Sequence, residues 1–137
     1  MAFLLDTNVV SEARKPAGDA NVKRWLASVG SADIFLSVLV IGEIRQGVER
    51  LRRRDPTQAE VYAVWLERLS NDYGDRVLPI TGAVAEVWGR LNVPDAVPVV
   101  DGLMAATAIV EHLMFVTRNT SHVARTGVRV LNPFENR

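Results

Sequence analysis

The chain has 137 residues, 48% hydrophobic and 23% charged, and its 16 basic and 16 acidic side chains balance to a formal charge of zero. That composition suits one globular domain, residues 1–137, with a substantial core. With no cysteine, a disulfide framework and a Cys-based zinc site are excluded. No apolar run approaches the roughly 18 residues of a membrane helix, and no signal-peptide pattern opens the sequence, so the cytoplasm is the expected location. Bulk charge announces no nucleic-acid partner. Nine Lys/Arg face six Asp/Glu up to Arg54, and seven face ten beyond it, so any phosphate-binding surface has to be local.

Phe3-Leu4-Leu5 reads as a strand buried on both faces, as at the centre of a parallel sheet, and it runs directly into Asp6-Thr7-Asn8. A short helix over Val9–Arg14 ends near Pro16 and Gly18, and Asp19 caps a helix over Ala20–Val29. Ile34–Ser37 is a second strand. The helix Val38–Arg53 follows, with Ile41, Ile44, Val48 and Leu51 as its core stripe. Thr57, with Glu60 three residues on, forms a capping box for a helix reaching Asn71. Val77–Ile80 is a third strand and Thr81–Leu91 a helix. Asn92–Pro98 is a loop, and Val100–His112 a helix so apolar that it is buried on most sides. Strands at Met114–Thr117 and Arg129–Leu131, the second preceded by a turn at Gly127, complete an alternation that indicates a three-layer α/β/α fold with a parallel sheet.

Polar residues gather at strand ends. Asp6 follows strand one, where open α/β sheets bind ligands, although an aspartate there equally caps a helix. Glu43 lies in the helix after strand two; Gly42 and Gly47 beside it suggest close approach of a backbone or a ligand. Asp101 opens the helix leading into strand four, and Thr117-Arg118-Asn119-Thr120-Ser121-His122 follows that strand. Carboxylates converging on one rim repel each other unless a cation neutralises them, and an all-oxygen donor set suits Mg²⁺ or Mn²⁺. Such a site can activate water against a phosphodiester. Arg50, Arg52, Arg53 and Arg54, with Lys23 and Arg24, are candidate phosphate contacts, though an arginine run also suits a solvated helix end. Trp25, Trp65 and Trp88 fit apolar helical stripes, in a core or an interface.

The segments Leu5-Asp6-Thr7-Asn8-Val9, Ser37 to Val48, Val100 to Ala108, Val116-Thr117-Arg118-Asn119 and Gly127 to Phe134 together resemble the PIN-domain family of metal-dependent ribonucleases, specifically the VapC-type toxins of bacterial toxin–antitoxin pairs. The resemblance implies an acidic Mg²⁺ site in which Asp6 and Asp101 are the principal metal ligands and Glu43 completes the pocket or orients water. Thr7 and Asn8 support the first aspartate, with Thr117 and Asn119 beside them. It also implies an RNA substrate, a cognate antitoxin whose tail lies in an apolar groove, and a homodimer formed through the helical surface. One position departs from the pattern: His122 stands where the family usually carries a fourth acid. It acts through water, or as an acid or base, or it marks a weakened site; in the last case the chain is a PIN-fold module that binds RNA or antitoxin without efficient cleavage. A receiver-like domain is excluded, since strand three ends in Pro79-Ile80 and the last lysine is Lys23. A haloacid-dehalogenase-like phosphatase would need an aspartate at Asn8.

Overall fold

The computed structural model describes residues 1–135. Five parallel strands, β1 (Phe3–Leu5), β2 (Ile34–Ser37), β3 (Val77–Leu78), β4 (Met114–Val116) and β5 (Val130–Leu131), lie in the order β3-β2-β1-β4-β5. β1 is central, and Leu4 and Leu5 are buried. The chain first builds outward from β1 on one side, through α1 (Thr7–Arg14), α2 (Ala20–Ser28), α3 (Val38–Arg52) and α4 (Pro56–Tyr73). It then crosses to the other side through α5 (Gly82–Leu91) and α6 (Val99–Val110). Right-handed crossovers in opposite directions put the two helix groups on opposite faces of the sheet, and α3 accordingly packs on α4 while α5 packs on α6. Direction reverses between β1 and β4, so a crevice opens past their carboxyl ends.

Local chemistry sets the element ends. α1 begins at Thr7, two residues earlier than the sequence pattern suggests, because Asp6 accepts the Thr7 N–H at 2.7 Å and serves as its N-cap. Gly18 is required in the following turn: a Cβ there would stand 2.2 Å from the Glu12 carbonyl oxygen. Asp19 caps α2 through the Asn21 and Val22 amides. The capping box expected at Thr57 and Glu60 does not form. Asp55 is the cap instead, accepting from Gln58 N with Pro56 opening α4, because proline has no N–H to satisfy and its φ suits a first helical turn. Glu60 pairs with Arg52. β3 stops at Leu78, since Pro79 donates no ladder hydrogen bond.

In α3 the fully buried residues are Val40, Ile44 and Val48; Ile41 and Leu51 are half-buried against the core. α6 buries Gly102 and every residue from Met104 to Ala108. Gly102 permits a close approach, for a Cβ there would meet the Trp88 indole at 3.3 Å. Trp25, Trp65 and Trp88 are each half-buried, and Phe3 meets Trp25 edge-on at 5.0 Å. α6 ends at Val110 in a Schellman-type turn: Leu113 N donates to Ala108 O, and His112 takes φ +58°. Among the described residues no helix is long and apolar enough to cross a membrane.

Candidate active site

Asp6 follows the last residue of β1, and its own amide extends the ladder by donating to Val116 O at 2.9 Å. That register carries the carboxylate to the crevice between β1 and β4. Its Oδ1 accepts from Thr7 N; its Oδ2 accepts from Thr117 Oγ1 at 2.6 Å and from Asn8 Nδ2 at 3.3 Å. Thr117 is fully buried just past β4, and it also accepts the Asn119 amide at 3.0 Å. The helix-cap reading of Asp6 therefore holds, and the cap fixes the rotamer that presents the carboxylate to the crevice. Asp6 is 4% exposed, and burial raises its pKa against the hydrogen bonds from Thr117 and Thr7; the nearby Asp101 and Glu43 carboxylates add to the rise.

Glu43 reaches the crevice from the second turn of α3, where its Oε1 accepts the Thr7 hydroxyl at 2.5 Å. Asp101 arrives from the opposite face. α6 runs antiparallel to β4, so its first turn lies at the strands' carboxyl ends, and Asp101 occupies that turn without capping it. The short 3₁₀ segment Thr120–Thr126 then brings His122 Nδ1 within 2.7 Å of Asp101 Oδ2. A carboxylate oxygen only accepts, so the imidazole donates from Nδ1. His122 thus acts on Asp101 instead of standing as a fourth oxygen donor. Asp6, Thr7, Asn8, Glu43, Asp101 and Asn119 line one cleft of about 480 Å³, which brings together the three acids named from the sequence; Thr117 lies beneath it, reaching the cleft only through its hydrogen bond to Asp6.

The acids do not close on a single point. Among the described residues no group of three or more Asp, Glu or His side chains is arranged to ligate one ion. Mg²⁺ does not require such a group, because it keeps several waters and is held through one or two carboxylates plus substrate phosphate. The oxygen donors, and the carboxylate repulsion that adds to the rise of the Asp6 pKa, suit a hard divalent cation, which Asp6 and Asp101 are the side chains placed to hold.

The arginine run sorts into distinct environments. Arg50 and Arg54 line a second groove of about 440 Å³, which shares Thr7 and Glu43 with the acidic cleft. Arg52 is occupied by Glu49 and Glu60, and Arg53 lies outside the groove lining. Lys23 donates to the Ala13 carbonyl, and Arg24 to Asn21. Gly42 and Gly47 have no neighbour within 4 Å of where a Cβ would stand, so the expected close approach of protein backbone is absent. Arg14, Tyr62 and Trp65 were not expected in the groove. Tyr62 and Trp65 are three apart on α4, a one-face spacing visible in the sequence, whereas nothing local marks Arg14.

A crevice at the reversal point of a parallel sheet, here lined by carboxylate, hydroxyl and amide side chains, is where open α/β folds bind their ligands. The model of the PIN domain matches residues 3–127. The toxin FitB of Neisseria gonorrhoeae is 31% identical over 96% of this chain and 98% of its own length. The VapC ribonuclease Y4jK of Sinorhizobium fredii is 30% identical over 97% and 98%. The crystal structure of FitAcB from Neisseria gonorrhoeae superposes with a TM-score of 0.90 at 31% identity, covering 98% of this chain and 99% of that one. A structure of FitAB bound to an IR36 DNA fragment gives 0.89 at 29%. The chain belongs to the PIN-domain family, in its VapC-type toxin branch.

Proposed function

We propose that this protein is a Mg²⁺-dependent endoribonuclease, the toxin of a toxin–antitoxin pair, that hydrolyses RNA phosphodiester bonds in the Asp6–Glu43–Asp101 cleft. The observation that carries the reading is the convergence of those three acids, from three separate elements, at the sheet's reversal point. Asp6 and Asp101 would hold Mg²⁺, with Mn²⁺ as a substitute; when bound, the cation supplies charge stabilisation at phosphate and an acidified water. Thr7 N–H, Thr117 and Asn8 keep Asp6 aimed. His122 holds Asp101, and Glu43, tied to the Thr7 hydroxyl, orients water. Asn119 adds a neutral oxygen at the rim.

The relative FitB is named a toxin; by analogy, a cognate antitoxin protein is the regulatory partner here, and the cytoplasm is the expected site of action. A homodimer formed through the helical surface belongs to the same reading; Val61 and Val64, exposed at 55% and 42% on α4, are apolar contacts available to it. The second reading, an RNA- or antitoxin-binding module with weak cleavage, draws on the imidazole at His122.

The test is cleavage of a structured RNA pool by antitoxin-free protein in Mg²⁺, Mn²⁺ and EDTA, beside Asp6→Ala. Discrete, metal-dependent cuts absent from Asp6→Ala are expected. Cutting no greater than the Asp6→Ala background, by folded protein, would leave the binding module as the better reading.

A further inference from the structure

The acidic cleft is not polar throughout. Besides its acids it is lined by Pro98, Val99 and Val100, the entry to α6. Local rules favour Ser, Thr, Asp or Asn ahead of a helix and polar side chains where its first turn meets water. This chain has Pro98, which makes no capping side-chain bond, and then Val99, 60% exposed. A valine left in water adds little to the fold, and broken local rules concentrate where a chain does its work.

The lip is held stiffly. Asn92 accepts the Val97 amide at 3.0 Å and donates to the Trp88 carbonyl at 2.8 Å, which ties both ends of the loop to the last turn of α5. Gly102 lets the Val97 side chain and the Trp88 indole close on α6, at 3.5 and 3.3 Å from where a Cβ would stand. In mid-loop Asp95 pairs with Arg125 at 2.6 Å, and Arg125 belongs to the 3₁₀ segment that carries His122. Val99 thus sits on a braced edge, about 3 Å along the helix axis from Asp101 at 1.5 Å per residue.

A phosphodiester seated at Asp6 and Asp101 carries its nucleoside into this edge. The three side chains offer no hydrogen-bond donor or acceptor, so they cannot read the edges of a base. They can only cover the face of a base and its ribose, and a larger base is covered more. Three residues fall far short of the roughly 20–30 on each side of a stable protein interface, whereas a single nucleoside matches them in size.

We infer that the Pro98–Val99–Val100 lip is the contact for the nucleoside next to the scissile phosphate, and that Val99 gives the enzyme a preference for purine over pyrimidine there without separating adenine from guanine. The inference rests on the nuclease reading for the seat of the phosphate, yet contact at Val99 can be measured without cleavage.

The experiment has two arms. The first is steady-state cleavage in Mg²⁺ of short RNAs that place each of the four bases beside one wild-type cut site. Val99→Ser should raise KM about five- to twentyfold, the effect of leaving the exposed part of a valine uncovered. Its kcat should hold, because the contact is equal in ground and transition states, and its purine preference should flatten. Its thermal unfolding should match wild type, since Val99 is exposed. Val93→Ser, 74% exposed in the same loop but outside the cleft lining, should change none of these. In the second arm, valine-methyl-labelled Asp6→Asn protein is titrated in Mg²⁺ with a purine dinucleotide, a pyrimidine dinucleotide and ribose 5-phosphate. The Val99 methyl signals should move most with the purine dinucleotide and show contacts to its base protons. Val99 methyls that ignore both dinucleotides, or that answer ribose 5-phosphate equally, would overturn the inference. So would a Val99→Ser KM within twofold of wild type, a loss confined to kcat, or an unchanged base preference. The two proposals fail separately: metal-dependent cutting with Val99→Ser equal to wild type sinks the lip alone, and base contact at Val99 without metal-dependent cutting sinks the nuclease alone.

Discussion

Replacing Thr117 by valine removes one oxygen from the interior and should expose how the site is built. The hydroxyl is fully buried, donates to Asp6 Oδ2 at 2.6 Å and accepts the Asn119 amide at 3.0 Å. A hydrogen bond to an ionised group contributes about 1.5–3 kcal/mol, and an amide left without its partner costs about 1 kcal/mol more. Valine has nearly the same shape, so no cavity offsets or enlarges that loss. Thr117→Val should therefore lose about 2–4 kcal/mol in urea unfolding at neutral pH in EDTA, whereas Thr117→Ser, which keeps the oxygen, should lose about 1 kcal/mol for the missing methyl. The bond favours the ionised form of Asp6, so the gap between wild type and Thr117→Val should be largest above the pKa of Asp6. It should narrow as pH falls through that pKa and the carboxylate protonates. Cleavage should fall by about 10–100-fold in the valine variant, as when a ligand loses its orienting partner. A valine variant within about 0.5 kcal/mol of wild type, or a serine variant equally destabilised, would refute the claim that this hydroxyl holds Asp6.

Asp6→Asn should abolish metal-dependent cleavage while making the metal-free protein more stable at neutral pH, because burial raises the Asp6 pKa. The sign follows from linkage: an acid raised in the fold loses native stability as pH climbs above its unfolded value of about 3.9. Wild-type stability in EDTA should therefore fall over that climb, and the asparagine variant should lack the fall; parallel pH profiles would count against it. His122→Ala should weaken Mn²⁺ binding by about 10–100-fold without unfolding the protein, since His122 is exposed. His122→Asp distinguishes the readings of this position, with a gain in cleavage expected from an impaired site and a loss from a working histidine. His112→Gly should stabilise the fold by about 0.5–1 kcal/mol in thermal unfolding, because φ +58° strains any residue with a Cβ; no gain would mean that the imidazole has contacts that offset the strain.

Patterns with a short physical range were readable directly. Apolar runs of three or four residues specify strands, and the stripe around Ile44 and Val48 specifies which face of α3 is buried. Asp6, Glu43 and Asp101 stood out because each is a carboxylate next to residues that otherwise want the core. Local chemistry that depends on competition between neighbours was harder: Asp55 with Pro56 displaced the Thr57 cap, and Pro79 shortened β3. What only the tertiary structure decided are the relations between distant residues. The β1–β4 register puts Thr117 on Asp6 across 111 positions, and the antiparallel run of α6 against β4 brings Asp101 to the same rim. The 3₁₀ turn makes His122 a partner of Asp101, and the α3–α4 pairing separates Arg50 and Arg54, in a groove with Arg14, from an Arg52 already neutralised. Propensity and periodicity act over one or two helical turns, whereas a site is defined by distances of a few ångströms between side chains whose separation in sequence carries no such signal.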